Sequence, residues 1–382
     1  MTNDEFVPYL GDQDRLYWTL IKRVASSFEE NFLLSPLGLK LTLSLLKETA
    51  TGLTQDELSA IFREDLNRME SREHLRSIAE LLRKKPPENI AYLGNWIFIS
   101  SENEIRARFE AIAKTFYNAD ITTVNTQSAT VTANEINQVV LNATLGNILY
   151  PVNEGDVDDM RMLVLNTLYF EGDWRYQFAA SATKASHFYV SPTTLKIVPF
   201  MKVIQRFYYA ESTKLDAKIL RMPYLGNKFA MYFIVPNSLT GLSYVEENIM
   251  LLPGEIQFLE KHIVDVTLPK FKFVYTLYLE RTLKKMGLRI AFEESASYPG
   301  IARGQLISKR LKLSKVMQRT LIAVNELGVG VSSSKGNTTV SEVNIDINEA
   351  KEVMGNRPFF FFIQDEASRQ LLVFGRFTDP TL

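Results

Sequence analysis

Continuous apolar segments in the second half of the chain constrain its fold more than any other feature. Strand-like segments dominate from about residue 160 onward, and they include MLVLNTLYF (162–170), FAMYFIVP (229–236), IVDVTLPKFKFVY (263–275), RPFFFFI (357–363) and RQLLVFGRF (369–377). A segment without polar alternation is typical of a strand that is covered on both faces. The sequence therefore predicts large sheets flanked by helices or by other sheets.

Helical patterns are concentrated in the first 85 residues or so. The segment SPLGLKLTLSLLKETATG (35–52) has Pro36 near its start and leucines at three- and four-residue spacing, which predicts a helix that stops at Gly52. Helices followed by many strands indicate an α+β fold. The chain shows no repeat and no linker that would divide it, so one domain over residues 1–382 is expected.

Composition narrows the class of partner. The 382 residues are 46% hydrophobic and 23% charged, which is typical of a soluble globular protein with a sizeable core. With 43 basic and 44 acidic residues and no run of like charges, the chain is not expected to bind nucleic acid or an anionic membrane. It has no apolar stretch long enough for a membrane span, and the absence of cysteine excludes disulfides and cysteine–zinc sites.

The N-terminal segment leaves two compartments open. MTNDEFVPYLGDQDRLYWTLIKRV has acidic residues where a signal peptide carries a basic start and a continuous apolar core. The chain is expected to be extracellular if it is a mature form without its signal peptide, and cytoplasmic otherwise. Two sequons make Asn142 and Asn337 candidates for glycosylation in the secretory pathway.

Catalytic and metal-binding patterns are nearly absent. The three histidines, His74, His187 and His262, form no HExxH motif and no close spacing with acidic residues, so we interpret them as surface or packing residues. The chain has neither a G-x-S-x-G nor a G-x-x-x-x-G-K-[ST] motif, and the GVG at 328–330 has Ser333 in place of a third glycine. An enzyme is therefore disfavoured, and no cofactor is expected.

A long polar segment interrupts the apolar C-terminal part of the chain. About 30 residues between Glu326 and Pro358 lack a helical pattern, whereas unstructured connections longer than about 12–15 residues are uncommon in compact domains. As a strand, the segment would place Val329, Val331, Ser333 and Lys335 on one face and Gly330, Ser332, Ser334 and Gly336 on the other. It is either a disordered surface loop or a segment that is exposed in one state and inserted in another.

The flanks of this segment resemble the serpin family. LKLSKVMQRTLIAVNELG (311–328) is similar to the strand and hinge that precede the serpin reactive-centre loop, and RPFFFFIQDEASRQLLVFGRFTDP (357–380) is similar to the family's C-terminal hairpin. Further similar segments follow in the same order: NFLLSPLGLKLTLSLL (31–46), NWIFIS (95–100), INQVVLNATLGNI (136–148), VLNTLYFEGDWRYQF (164–178), VPFMK (198–202), LRMPYLGNKFAMYFIVP (220–236) and VTLPKFKF (266–273). The resemblance covers roughly residues 31–380.

The resemblance implies a metastable α+β fold with three β-sheets, eight or nine helices and an exposed reactive-centre loop, here residues 326–357. In inhibitory members a serine or cysteine protease attacks the loop and becomes acylated, and the loop then inserts into the largest sheet as an extra strand. The expected partner is such a protease, the expected state is a monomer, and the serpin itself is not an enzyme.

The hinge of the loop follows the family pattern only at its start. Glu326 and Gly328 fit, but the chain then has Val329, Gly330, Val331, Ser332, Ser333 and Ser334 where inhibitory members usually carry Thr or Ser followed by small residues such as Ala. Lys335 stands where Thr is common, on the face that insertion would bury. An unpaired buried ammonium costs several kcal/mol unless it deprotonates or reaches water, so Lys335 is expected to oppose insertion.

The positions under the central sheet through which the strand enters, called the shutter, also depart from the pattern. Ser35 and Asn166 match, whereas Gly38 replaces an expected serine and Gln318 an expected histidine. Val139 replaces a usual tryptophan on the helix that covers the sheet. These departures favour a non-inhibitory binding or carrier serpin; the alternatives are a suicide-substrate inhibitor and, remotely, an enzyme.

The family's register also predicts the reactive bond. Counting seventeen residues from Glu326 gives the bond Glu342–Val343. Because the segment up to Pro358 is longer than in many members, cleavage at Asp346 or Lys351 is an alternative.

Overall fold

A computed structural model describes residues 15–62, 68–83, 89–303, 310–329 and 349–381. These residues form ten α-helices: Arg15–Ala25 (α1), Pro36–Thr49 (α2), Gly52–Phe62 (α3), Arg68–Arg83 (α4), Ala107–Phe116 (α5), Ala129–Ala143 (α6), Glu154–Val157 (α7), Leu242–Glu247 (α8), Leu252–Ile256 (α9) and Glu280–Lys285 (α10).

The strands lie mainly in the second half of the chain. They are Phe32–Leu34 (β1), Asn89–Ser100 (β2), Glu104–Ile105 (β3), Ala119–Val124 (β4), Met162–Asp173 (β5), Lys184–Tyr189 (β6), Leu195–Ser212 (β7), Ala217–Pro223 (β8), Phe229–Pro236 (β9), Glu260–Pro269 (β10), Phe271–Tyr278 (β11), Ala302–Arg303 (β12), Leu313–Val324 (β13), Gly328–Val329 (β14), Lys351–Met354 (β15), Phe359–Asp365 (β16) and Leu371–Phe377 (β17).

The described strands form three sheets. The nine-stranded sheet has the order β1-β17-β16-β9-β8-β7-β10-β15, with β6 paired to β7. The six-stranded sheet has the order β11-β13-β14-β5-β2-β4, and β12 pairs with β3 in the third. The prediction of a mixed α+β fold with three sheets is confirmed. The described residues hold ten helices, close to the eight or nine that the resemblance implies, and α7 and α9 among them have only four and five residues.

Burial follows the apolar segments of the sequence. Every residue of β9, β16 and β17 is buried, as are the first nine of β5, which confirms that these strands are covered on both faces.

Two local predictions were wrong. The segment 263–275 is divided between two sheets, because β10 ends at Pro269, which has no N–H to donate, and β11 begins at Phe271. Gly52 begins α3, with a φ of 58°, whereas the preceding helix ends at Thr49.

Helix α2 lies between the two larger sheets. It contacts β2 and β5 of the six-stranded sheet and β17 of the nine-stranded sheet, and nearly all of its residues are buried. Ser35 caps its start by accepting a hydrogen bond from the amide of Gly38, and Pro36 follows at the first helical position. Helix α6 packs on the other face of the six-stranded sheet, where its Ile136 and Val140 join a second apolar cluster. The six-stranded sheet is thus covered by a helix on each face.

Candidate functional site

The described residues of the predicted hinge form a two-residue strand inside the six-stranded sheet. β5 and β13 pair directly and in parallel, from Met162 opposite Leu313 to Tyr169 opposite Leu321. Beyond that point β14 lies between them and is antiparallel to both, with Val329 opposite Val324 on one side and Gly172 on the other. We call the junction of β5 and β13 the seam. One end of the seam is therefore already open by the width of one strand.

Gly328 enters the seam because it has no side chain. A Cβ atom at this position would lie 1.9 Å from the carbonyl oxygen of Gly172 and 2.7 Å from the Cα of Asp173. Both are backbone atoms of β5, which cannot rotate away as a side-chain tip can. The glycine that matches the hinge pattern in the sequence is required here by close approach of two backbones.

A turn joins β13 to the hinge strand, and Trp174 holds it in place. The side-chain oxygen of Asn325 accepts hydrogen bonds from the amides of Leu327 (2.9 Å) and Gly328 (3.1 Å). The indole N–H of Trp174 donates to the carbonyl of Asn325 at 3.0 Å, and its backbone amide donates to that of Leu327 at 2.7 Å. The indole itself stacks on Tyr224 with the ring centroids 4.6 Å apart. The start of the hinge is thus anchored to β5 and the residues that follow it.

Glu326 ties the same turn to a different part of the fold. Its carboxylate lies 2.9 Å from the ammonium of Lys270 and accepts a hydrogen bond of 2.8 Å from the hydroxyl of Thr183. Partial burial alone would raise the pKa of Glu326, but the hydrogen bonds from Lys270, the backbone and Thr183, together with the lysine charge, hold it below its ordinary value. The ionised form of Glu326 therefore stabilises the turn that joins β13 to β14.

The depressed pKa predicts a pH dependence of stability. The contribution of Glu326 is fully present above its ordinary pKa of 4.5 and is lost as the pH falls through the lower folded-state value. Because Lys270 is partly exposed, the contribution is expected to be about 1 kcal/mol. Urea unfolding of the wild type and of Glu326→Gln should differ by this amount at pH 7, and the difference should shrink as the pH falls below 4.5. A difference that is independent of pH would contradict this assignment.

The shutter positions form a buried group of hydrogen-bonded side chains, which we call the amide cluster: Ser35, Asn95, Asn166 and Gln318. Gln318 accepts a hydrogen bond from the amide of Ser35 and donates one to its carbonyl, each at 2.8 Å. It also donates to the side-chain oxygen of Asn166 at 3.1 Å, and Asn166 donates to that of Asn95 at 2.9 Å. Asn166 and Gln318 are both 0% exposed and lie directly opposite each other across the seam. The structure thus brings Ser35, Asn166 and Gln318 into contact.

Two other positions that depart from the family pattern, Gly38 and Val139, lie on opposite faces of the six-stranded sheet. Gly38 is next to the amide cluster, and a Cβ there would be 3.2 Å from the hydroxyl oxygen of Ser35 and 3.3 Å from Cγ of Asn166. Val139 is a partly buried residue of α6 and packs against the apolar cluster that contains Trp96 of β2. A Cβ at Gly94 would lie 2.0 Å from the Trp96 ring, so the indole covers the glycine. An indole is therefore present beneath α6, although it belongs to the sheet instead of the helix.

Three polar side chains at the seam have a buried atom without a hydrogen-bond partner in the described part of the chain. They are the hydroxyls of Thr167 and Thr320 and the Nε of Arg319. Thr167 lies directly opposite Arg319 across the seam, and Thr320 lies opposite Leu168 in the next row. Burial lowers the pKa of Arg319. Since buried polar groups are normally paired, these atoms mark the seam as unsatisfied in this state.

The segment that would carry the reactive bond is bounded by β14 and β15. Gly330, Val331, Ser332, Ser333, Ser334, Lys335, Asn337, Glu342, Val343 and Asp346 lie outside the described residues. Lys351 begins β15, where it lies opposite Val264 of β10 in a parallel pair, and its ammonium is 3.3 Å from the carboxylate of Glu211. Lys351 is thus part of a paired strand.

The other predicted positions lie away from the seam. Asn142 is exposed near the end of α6, and its glycosylation stays a prediction. His74 and His187 are exposed, and His262 meets the edge of the Tyr209 ring. Among the described residues, no group of three or more acidic or histidine side chains is placed to hold a metal ion. None of the described helices combines the length and apolar character needed to cross a membrane.

Comparison with known proteins decides the family. A family model described as Serpin (serine protease inhibitor) matches residues 12–380. The chain is a serpin. Serine protease inhibitor 2 of Anopheles gambiae is 30% identical over 384 residues, which cover 98% of this chain and 93% of the mosquito protein.

Solved serpin structures show the same fold. Serpin48 of the insect Tenebrio molitor has a TM-score of 0.85 at 26% identity, covering 97% of this serpin and 99% of that chain. Uncleaved ovalbumin has a TM-score of 0.85 at 23% identity, covering 96% of this serpin and 98% of that chain.

Several residues that contact the candidate site in this serpin were missed in the sequence. Trp174 and Lys270 lie within segments that resemble the family, and Asn95 begins another, but no spacing links them to residues that are distant along the chain. Asn95 could have been found from pairing, because it lies directly opposite Asn166 in β5. Nothing in the sequence singles out Thr183.

Proposed function

We propose that this serpin inhibits a serine or cysteine protease by inserting its cleaved loop into the seam between β5 and β13. The observation that carries the proposal is the position of β14, which pairs with both strands and keeps the seam open at one end. The mosquito relative at 30% identity is named as a serine protease inhibitor, which supports the same activity here. The chemistry is the protease's own acylation, so the serpin supplies strain release and not catalysis.

Insertion in the register of β14 gives each loop residue a defined place. Val329 lies beside Val324 and Gly172, so Ser332 would fall beside Leu321 and Tyr169 in an antiparallel continuation. Two rows further, the same register would bring Ser334 between Thr167 and Arg319. The serine hydroxyl could then pair with the groups that now lack partners, at a gain of about 1 kcal/mol for each hydrogen bond. The unsatisfied seam therefore favours the inserted state.

For the reactive bond we propose Glu342–Val343. A protease must draw the substrate chain into its cleft as an extended segment, which a bond within a paired strand cannot provide without first being pulled from its sheet. Lys351 lies in such a pair with Val264, so cleavage there is the weaker alternative. Asp346 remains a second alternative. A protease that cleaves after acidic residues would suit both Glu342 and Asp346.

The test is complex formation with a panel of serine and cysteine proteases that includes a glutamate-specific enzyme. A productive inhibitor gives a covalent serpin–protease band on denaturing gels, and mass spectrometry of the released C-terminal peptide locates the bond. We expect such a complex with an enzyme that cleaves after Glu342. Complete loop cleavage by every enzyme, without any covalent band, would contradict inhibition.

A non-inhibitory binding or carrier serpin is the second candidate, and one observation favours it. If the loop inserts in the register of β14, Lys335 would come between Asn166 and Gln318, both of which are fully buried. If the ammonium stops insertion at that row, the protease completes hydrolysis before it is trapped. This function predicts loop cleavage without a complex.

A further inference from the structure

We propose that a cleft between the segment after α1, the turn from β6 to β7 and the start of α8 binds a small amphipathic cation, an amine with an apolar body. We call it the α8 cleft. Its volume is about 410 Å³, within the range of roughly 300–1,000 Å³ that is typical of small-molecule pockets. All of its lining residues belong to the described part of the chain, and none lies on β5, β13 or β14. The inference therefore does not depend on loop insertion.

The walls of the α8 cleft are mainly apolar. They come from segments that are far apart along the chain, and their apolar residues are Val190, Pro192, Leu239, Leu242 and Pro358. The hydroxyl groups of Ser191, Thr240, Ser243 and Thr378 are interspersed among them. Apolar walls with a few polar groups are typical of sites that take an aliphatic or aromatic group out of water and fix its orientation.

The charged groups of the lining are all acidic, which decides the class of ligand. They are the carboxylates of Glu29, Glu30 and Asp379. Asp379 is neutralised by Lys196, whose ammonium lies 2.8 Å from its carboxylate. Glu29 and Glu30 are exposed, and neither forms an ion pair with a cation in the part of the chain that the structure describes. Two uncompensated negative charges at an apolar cleft favour a cationic ligand over a neutral or anionic one.

The cation that acts on Glu29 is occupied elsewhere. Arg376 experiences the charge of Glu29, but its side chain is buried and lies 3.1 Å from the carboxylate of Glu246. It also donates to the backbone carbonyls of Ala25 at 3.2 Å and Glu30 at 3.0 Å. These bonds fix the backbone that carries the two glutamates, so their charges are held at the cleft without being cancelled there.

Asn31 fixes the neighbouring wall. Its side-chain oxygen accepts hydrogen bonds from the amides of Thr378 at 2.6 Å and Asp379 at 3.0 Å, and its side-chain nitrogen donates to the carbonyl of Asp379 at 2.6 Å. Asn31 is itself buried and follows Glu30 directly in the chain. Two walls of the cleft are thus joined through one side chain. A cleft that is formed in advance binds a ligand with less loss of conformational freedom.

Two fluorescent probes that differ in charge test the site. Dansylcadaverine has an aromatic dansyl group and a primary ammonium group, and its N-acetyl derivative has the same aromatic body without the charge. We expect the full chain to bind dansylcadaverine saturably with a Kd on the order of 10 μM, read from the rise in dansyl emission. The acetylated probe should bind roughly twofold to thirtyfold more weakly, because it is not attracted by the two exposed carboxylates.

Three variants locate the binding. The double substitution Glu29→Gln, Glu30→Gln should bind dansylcadaverine as weakly as the acetylated probe, with no change for the acetylated probe itself. Glu104→Gln, Glu110→Gln is the matched control, since it removes the same charge from exposed positions outside the cleft, and it should bind both probes as the wild type does. Ser243→Trp fills the cleft from an exposed lining position and should abolish saturable binding of both probes.

Four results would overturn the proposal. They are the absence of saturable binding, equal affinity of the wild type for the two probes, unchanged affinity for dansylcadaverine in the Glu29, Glu30 variant, and binding that survives Ser243→Trp in a chain whose Tm shows it to be folded. If Ser243→Trp does not fold, the comparison of the two glutamine variants decides. Inhibition is measured separately by complex formation, so failure of this site leaves the proposed function in place.

Discussion

Under the proposed inhibitory function, Gly328→Ala is expected to replace trapping of the protease by simple cleavage of the loop. The added Cβ would lie 1.9 Å from the carbonyl oxygen of Gly172 and 2.7 Å from the Cα of Asp173, both in the backbone of β5. Overpacking of this kind costs about 1–3 kcal/mol where neighbours can shift. Here the simplest relief is for the hinge to leave the seam. Since 1.4 kcal/mol corresponds to a factor of ten, the ratio of trapped to cleaved serpin should fall by roughly fivefold to a hundredfold.

A matched glycine provides the control for this substitution. Gly254 lies in α9, and a Cβ there would meet no atom outside its own helix within 4 Å. Gly254→Ala makes the same chemical change without a clash, and it should trap protease as the wild type does. The ratio is read from the covalent and cleaved bands on one denaturing gel. Equal trapping by Gly328→Ala and Gly254→Ala would show that the observed position of β14 is not needed for inhibition.

Trp174→Ala should cause the largest loss of stability around the site. The side chain is 0% exposed, and its ring lies parallel to that of Tyr224 at a centroid distance of 4.6 Å. Its indole N–H also donates to the carbonyl of Asn325 at 3.0 Å. Removing a buried tryptophan costs about 3–5 kcal/mol, because apolar contacts are lost and a cavity remains. The midpoint of urea unfolding should fall accordingly.

Trp174→Phe separates the two parts of this effect. Phenylalanine keeps an aromatic ring against Tyr224 but cannot donate to Asn325, so a smaller loss of about 1–2 kcal/mol is expected. The hinge should also become more accessible to proteolysis in both variants, because the turn at Asn325 loses its anchor. An alanine variant as stable as the phenylalanine variant would mean that the stacked ring contributes little.

The sheets could be predicted from the sequence because their signal is local. A continuous apolar segment such as 229–236 must be covered on both faces whatever its neighbours are, and β9 has those bounds. The division at Pro269 was harder to foresee, since both halves of 263–275 are apolar and only the missing proline N–H interrupts the pairing. Helices as short as α7 leave no periodic pattern at all.

The site was only partly predictable because it depends on contacts between distant segments. Ser35, Asn166 and Gln318 were placed by resemblance to the family, but their connection to Asn95 follows from strand register, which no local pattern reveals. The partners of Glu326 are a second case. Lys270 and Thr183 come from different parts of the chain and meet only in the fold.

The Tm of the wild-type chain before and after a single cut at Glu342 tests the central claim most directly. Insertion adds a strand with hydrogen bonds to both β5 and β13, each worth about 1 kcal/mol net. The account predicts a rise of about 10 °C or more after the cut. An unchanged Tm, with the cut confirmed by mass spectrometry, would contradict insertion of the loop into the seam.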